Sequence, residues 1–154
     1  MPSTFQDRRR IEFYETDMAG IVHFSNFFRF MEATEHAFFR SLGLALHRDD
    51  GERMSGWARV HAQCDYRSPL YYMDEVEVAL RVRKKSASSF SYDFVFRRVA
   101  DSDGPIPAAE VAHGALRVVH VAQSGSGAMK ACAMPEDVAR LIEVAPSEIE
   151  THHP

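Results

Sequence analysis

The sequence predicts an α+β domain in which an antiparallel sheet of about five strands wraps around one long central helix. Two patterns carry that prediction. Several segments alternate apolar and polar residues with the period of two expected of a half-buried strand, while residues 26–42 are apolar around most of a helical wheel. A helix with so little polar surface must be enclosed, and a curled sheet with one apolar face can enclose it.

A short strand opens the chain with Ile11 and Phe13 turned inward. Along 26–42, Phe27, Phe28, Phe30, Met31, Ala33, Ala37, Phe38, Phe39 and Leu42 leave Arg29, Glu32, His36 and Arg40 as one narrow polar stripe. Ser25 is placed to cap this helix and Gly43 to end it. From 57 to 66, Ala58, Val60, Ala62, Cys64 and Tyr66 are expected on one face, with Arg59, His61, Gln63 and Asp65 on the other. Val76, Val78, Leu80 and Val82 alternate in the same way, as do Phe90, Tyr92, Phe94 and Phe96, and a valine-rich fourth strand spans 107–121. Turns at 84–89 and 101–105 are short enough for hairpins, which makes these four strands a meander. A short helix is expected over 135–144, a turn at 123–127 and a loose tail ending His152-His153-Pro154.

The chain has 154 residues, 45% hydrophobic and 26% charged, the balance of an ordinary globular domain. One domain over 1–154 is expected, with its core over about 8–140, because a chain of roughly 150 residues buries enough surface to need no staple. A net charge of −4 repels polyanions, so nucleic-acid binding is not expected. Arg8-Arg9-Arg10 interrupts the start before any signal-peptide core, and no apolar run approaches the ~18 residues of a membrane span. The expectation is a cytoplasmic protein without membrane insertion. Cys64 and Cys132 fit two reduced thiols. They form no CxxC pattern, and no histidine pair has ligand spacing, so no metal is expected.

Several chemistries lack their motif: there is no G-x-S-x-G elbow, phosphate-binding lysine loop, dinucleotide fingerprint or H-E-x-x-H. The informative segment is 10–27, which leaves a strand, passes Asp17 and Gly20 and delivers the chain to the helix start. Such a junction joins a carboxylate to the N–H groups of a helix N-terminus, where an oxyanion can be held. Asp17 capping a turn and Gly20 supplying its bend is the simpler alternative.

Ile11-Glu12-Phe13, then Asp17-Met18-Ala19-Gly20-Ile21-Val22 and Asn26-Phe27, with Glu32 on the helix, resembles the opening motif of the 4-hydroxybenzoyl-CoA thioesterase family of hotdog-fold proteins, which includes the Tol-Pal-associated thioesterases. Asp65-Tyr66, Pro69, Asp74-Glu75-Val76 and the strand from Ala109 to Val121 continue the likeness. The resemblance implies the hotdog fold, an acyl-CoA thioesterase, and an essential carboxylate at Asp17. It also implies an active site between protomers, hence a homodimer or tetramer. His23 and Phe24 stand where many relatives carry an aromatic followed by histidine, so here the order is reversed.

Asp17 would attack the thioester carbonyl or deprotonate a water that does, and the sequence leaves both open. A thiolate with a pKa of roughly 8.5 leaves with little protonation help. N–H groups around His23 and Phe24 would hold the carbonyl oxygen. Gly20, Asn26 and Phe27 are the other motif positions placed near substrate, Tyr14 is a candidate for the acyl pocket, and Arg83, Lys84, Lys85 and Ser86 are candidates for the coenzyme A phosphates. Glu15 reads as a surface charge and Glu32 as a helix-face salt bridge. The acyl group is expected to be short or aromatic, and no cofactor is expected beyond the coenzyme A of the substrate. A hotdog dehydratase or hydratase, a non-catalytic acyl-thioester binding protein and a thioesterase for acyl carrier protein are the alternatives.

Overall fold

The structure is a computed structural model that describes residues 2–100 and 107–146; the turn expected at 101–105 and the tail at 152–154 lie outside the described residues. In chain order the elements are β1 (Thr4–Arg10), α1 (Asn26–Ser41), β2 (Arg48–Asp49), β3 (Arg53–Tyr66), β4 (Glu75–Lys85), β5 (Ser89–Arg98), β6 (Ala109–Ser124), β7 (Lys130–Ala131) and α2 (Glu136–Leu141), with a 3-10 turn at Phe13–Glu15. All strand pairs are antiparallel, in the order β1-β4-β5-β6-β3-β2, with β7 added to β6. The curled sheet packs against α1, whose 16 residues bury Phe27, Phe30, Met31, Phe38 and Phe39 against Val76, Val78, Leu80 and Val82 of β4 and Phe90, Tyr92, Phe94 and Phe96 of β5. Burying each of these large side chains contributes about 1.5–3 kcal/mol. Gly114 of β6 lets the helix come close, since a Cβ there would lie 2.6 Å from the Met31 side chain.

Arg29, Glu32, His36 and Arg40 form the exposed stripe as expected, so α1 is covered on one side rather than all round. The expected meander is corrected. β3 neighbours β6 and not β4, because the connection between β3 and β4 is no hairpin: Leu70 accepts the Val22 N–H at 2.8 Å and Tyr71 bridges Ile21, tying it to the segment before α1. Periodicity names a strand's faces and not its neighbours. The two-residue strands β2 and β7 are too short to show a period, and they raise the sheet from about five strands to seven. Phe13 is 74% exposed rather than inward, because β1 ends at Arg10 and the chain turns into the 3-10 segment. The C-terminal helix is confined to Glu136–Leu141, where Ile142 has already become extended.

The faces of β3 are also corrected. Its register with β6 shifts between Arg59 and His61, so Val60 is the extra residue of a bulge. A bulge exchanges the faces on its two sides. Before it, Trp57 and Arg59 lie opposite the buried His120 and Val118; after it, Ala62, Cys64 and Tyr66 lie opposite the buried Leu116, Gly114 and Ala112. Val60 is 52% exposed. An unbroken alternation had turned Arg59 outward; the bulge turns it towards the helix. No helix among the described residues is long and apolar enough to cross a membrane.

Candidate active site

The segment between β1 and α1 is held by its own hydrogen bonds. Glu15, read from sequence as a surface charge, is 5% exposed: its Oε1 accepts the Glu12 N–H at 2.9 Å and its Oε2 takes Arg9 Nη2 at 2.7 Å. This pair closes the 3-10 turn. The chain then makes a tight hairpin in which the Asp17 N–H donates to the Ile21 carbonyl at 2.8 Å and the Gly20 N–H to the Asp17 carbonyl at 3.0 Å. Gly20 has φ +82°, the left-handed conformation that glycine adopts without strain. Asp17 is half-buried, and its Oδ1 accepts the Ala19 N–H at 2.8 Å. Its Oδ2 has no partner among the described residues, so the carboxylate keeps an oxygen free for chemistry. The turn-capping reading is met by Oδ1, and Oδ2 is left open.

The carbonyl of Glu15 clamps the helix start, accepting the His23 N–H at 2.9 Å and Asn26 Nδ2 at 2.7 Å. That corrects the expected pair of oxyanion donors, because the His23 N–H is spent on the clamp. The Phe24 N–H has no hydrogen-bond partner among the described residues and sits two residues before α1. His23 and Phe24 are exposed, their rings 4.7 Å apart, and His23 Nδ1 lies 2.7 Å from Ser25 Oγ. Ser25 thus bonds the imidazole instead of capping the helix. From the end of β3, the Tyr66 hydroxyl donates to the Phe24 carbonyl at 2.9 Å. Burial and the nearby Cys64 push the Tyr66 hydroxyl up to about 12, so it remains a donor across the neutral range. Phe27 is buried edge-on against Tyr66 and Phe96 and serves the core. Tyr14, Met18 and Phe24 stay exposed around the loop, with Tyr71 and Tyr72 beside them on the connection to β4.

The basic turn lies elsewhere. Arg83 is the extra residue of a bulge in β4 and pairs with Asp93 at 3.1 Å. Lys85 Nζ donates to the Ala139 and Ile142 carbonyls at 2.5 and 2.9 Å, closing the end of α2, and Ser86 Oγ meets Ser89 Oγ at 2.6 Å. Lys84 is exposed. The Asp17 hairpin touches Tyr71, just before β4, and the length of that strand, about 33 Å at 3.3 Å per residue, separates it from Lys84 and Lys85. Within one protomer the two groups do not share a site.

The sequence reading missed Glu35 and Arg59. Glu35 is fully buried on α1, yet Arg59 Nη2 reaches its Oε1 at 2.5 Å and Glu32 Oε2 at 3.6 Å. Burial pushes the Glu35 carboxyl above its ordinary value, while Arg59 pulls it back down. The available signal was a second glutamate three residues after Glu32 and off the polar stripe. Arg59 also lines a groove of about 480 Å³ along the flank of α1, walled by Trp57, Ala58, Leu46 and Val121, with Glu32 and His36 at its polar side. No group of three or more His, Cys, Asp or Glu suited to a metal occurs among the described residues.

A curled antiparallel sheet packed on α1 is the arrangement of the hotdog fold. Residues 11–142 match the thioesterase-like superfamily, and the chain belongs to that family. A solved hypothetical protein of Aquifex aeolicus is 32% identical, with a TM-score of 0.72 over 88% of this chain and 97% of that one. A 1,4-dihydroxy-2-naphthoyl-CoA hydrolase of Prochlorococcus marinus (strain MIT 9313) is 28% identical over 145 residues, 90% of this chain and 89% of the relative. The 4-hydroxybenzoyl-CoA thioesterase of Pseudomonas sp. strain CBS-3 shares the fold, with a TM-score of 0.75 over 90% of this chain and 99% of its own at 18% identity.

Proposed function

We propose that this thioester hydrolase cleaves a short or aromatic acyl-CoA to the free acid and coenzyme A, with Asp17 as its essential carboxylate and the Phe24 N–H as donor to the thioester carbonyl oxygen. The observation that carries the reading is one hydrogen-bonded loop bearing both a carboxylate oxygen and a main-chain N–H without partners among the described residues. The carboxylate attacks the carbonyl carbon, giving an acyl anhydride that water opens, or removes a proton from the attacking water. In either course the developing oxyanion takes the Phe24 hydrogen bond, and such a donor supplies about 2.7–4 kcal/mol of transition-state stabilisation. The departing thiolate is stable enough to leave unassisted. The relatives that act on aryl-CoA esters and the aromatic rings around the loop support an aryl group. A cytoplasmic enzyme working as one domain fits the free Cys64 and Cys132 and the location of acyl-CoA pools.

The active protein is an oligomer, a dimer or tetramer. Beyond β2, whose partners are Met54 and Ser55, the outer edge of β3 from Gly56 to Tyr66 has no strand partner among the described residues, and such an edge is a template for a second copy. Sedimentation of the intact protein at micromolar concentration gives a species of twice or four times 17.5 kDa; a monomer alone contradicts the assembly.

The substrate reading is tested by released thiol across straight-chain, benzoyl, phenylacetyl and naphthoyl CoA esters and the same groups on acyl carrier protein. Highest kcat/KM on an aryl or short CoA ester is expected. A steady climb to palmitoyl with inert aryl esters contradicts it, and turnover of the carrier-protein esters alone assigns the alternative donor.

A further inference from the structure

We infer that Cys132, paired with the buried His120 and flanked by Arg53 and Lys130, is a site of thiol–disulfide exchange with small anionic disulfides, a reaction separate from that of the Asp17 loop. The site is a cluster and not a single thiol. The Cys132 N–H donates to the His120 carbonyl at 3.0 Å, which sets the two residues opposite each other beside the pairing of β6 with β7. Their side chains then meet: Cys132 Sγ lies 3.3 Å from His120 Nδ1 and accepts Arg53 Nη2 at 3.3 Å. His120 is 3% exposed, and its ring packs against Trp57 with centroids 5.1 Å apart. Burial pushes the imidazole below its ordinary value, against the pull of the Ala133 and Cys132 main chain. The ring is therefore neutral at physiological pH, and a neutral imidazole in contact with a thiol is a proton acceptor.

The surroundings select the reagent. Cys132 is half-buried and lines a hollow of about 300 Å³ with Arg53, Ser124, Gly127 and Lys130, and no carboxylate belongs to that lining. The nearby Asp50 is turned to its own loop, where its Oδ1 accepts the Glu52 and Arg53 N–H groups at 2.9 and 2.6 Å. Two cations beside a nucleophile attract an electrophile that carries carboxylates or phosphates. They also stabilise a developing thiolate. Arg53, Lys130 and Cys132 all lie outside the Gly56–Tyr66 edge assigned to a second copy. In the exchange, His120 takes the Cys132 proton, Sγ attacks one sulfur of the disulfide, and the S–S bond breaks. The other sulfur leaves with the electron pair and recovers the proton from the imidazolium. Cys132 is thereby oxidised to a mixed disulfide while the departing half is reduced to a thiol. Glutathione disulfide and coenzyme A disulfide both have this chemistry. Cys64 is the internal contrast, because burial raises its thiol and the neighbouring Asp65 adds to the rise.

The test follows mixed-disulfide formation on the intact, reduced protein by mass and peptide mapping. Glutathione disulfide, coenzyme A disulfide and uncharged hydroxyethyl disulfide are the probes, and each rate is divided by that of free cysteine with the same probe. Cys132 is expected to react about tenfold or more faster than Cys64 with an anionic probe, and its normalised rate is expected to be higher with that probe than with the uncharged one. The quicker of the two anionic probes names the source. Arg53→Gln, at an exposed position, is expected to lower the rate several-fold for the anionic probes and much less for the uncharged probe, a difference that a merely structural role of Arg53 would not produce. His120→Gln is expected to lower the rate about tenfold for all three probes. Because His120 is buried, the unfolding transition of that variant is measured alongside, and the Arg53→Gln comparison decides the case if the fold is lost. Equal rates at Cys64 and Cys132, or a normalised Cys132 rate no higher for anionic than for uncharged disulfides, overturns the inference. Neither result alters the hydrolysis assigned to Asp17.

Discussion

The Tyr66 hydroxyl donates to the Phe24 carbonyl at 2.9 Å, across 42 positions of sequence. The peptide unit that follows that carbonyl begins the helix, and the N–H of Phe24, without a partner among the described residues, is the donor assigned to the oxyanion. One side chain at the end of β3 therefore sets the orientation of the group assigned to the oxyanion. Tyr66→Phe removes one hydrogen bond of about 1 kcal/mol and leaves the ring contact with Phe27. The expected result is a fall in kcat of three- to tenfold with KM nearly unchanged, read by steady-state hydrolysis; a change confined to KM would place Tyr66 in substrate binding instead.

Glu35 makes stability depend on pH in an unusual direction. Its folded-state pKa is raised by burial, so its stabilising contribution is complete below the ordinary carboxylate value and is lost as pH rises through the elevated one. Arg59 opposes that shift, and Arg59→Met strengthens it. The single variant is expected to lose about 3–5 kcal/mol at neutral pH, because it leaves a buried carboxylate unpaired, and to recover part of this as pH falls towards 5. Urea unfolding at several pH values reads both effects. A variant whose deficit does not shrink on acidification would show that Glu35 is not ionised beside Arg59.

The basic turn separates into residues with different duties. Lys85 closes α2, so Lys85→Ala is expected to lower Tm by a few degrees. Lys84 is exposed, and if it meets the coenzyme A phosphates it does so from another protomer, given the length of β4. Lys84→Ala is expected to raise KM several-fold for coenzyme A esters and not for pantetheine esters, an effect that added salt imitates. Equal KM values for both ester types would leave Lys84 a solvated surface charge.

The faces of β4 and β5, the start and end of α1 and the place of the Asp17 loop were legible because each rests on a local signal: period two, a polar stripe, Gly43 and an acidic residue before a helix. Arg59 was misplaced because a bulge has no sequence mark in a run that otherwise alternates. Glu15 was read as a surface charge because its partner, Arg9, is six residues away and across a turn. Neighbour order in the sheet, like the loss of the His23 N–H to Glu15, depends on contacts between distant segments, and periodicity does not encode those.

The chemistry assigned to Asp17 is tested most directly by Asp17→Asn, which preserves shape and the hydrogen bond from Ala19 but removes the charge. Single-turnover hydrolysis of benzoyl-CoA, with binding followed separately by calorimetry, distinguishes a lost reaction from a lost site. The account predicts hydrolysis reduced by a factor of about a hundred or more, with affinity within a few-fold of wild type and an unchanged unfolding transition. Near wild-type turnover in a folded Asp17→Asn protein would contradict it.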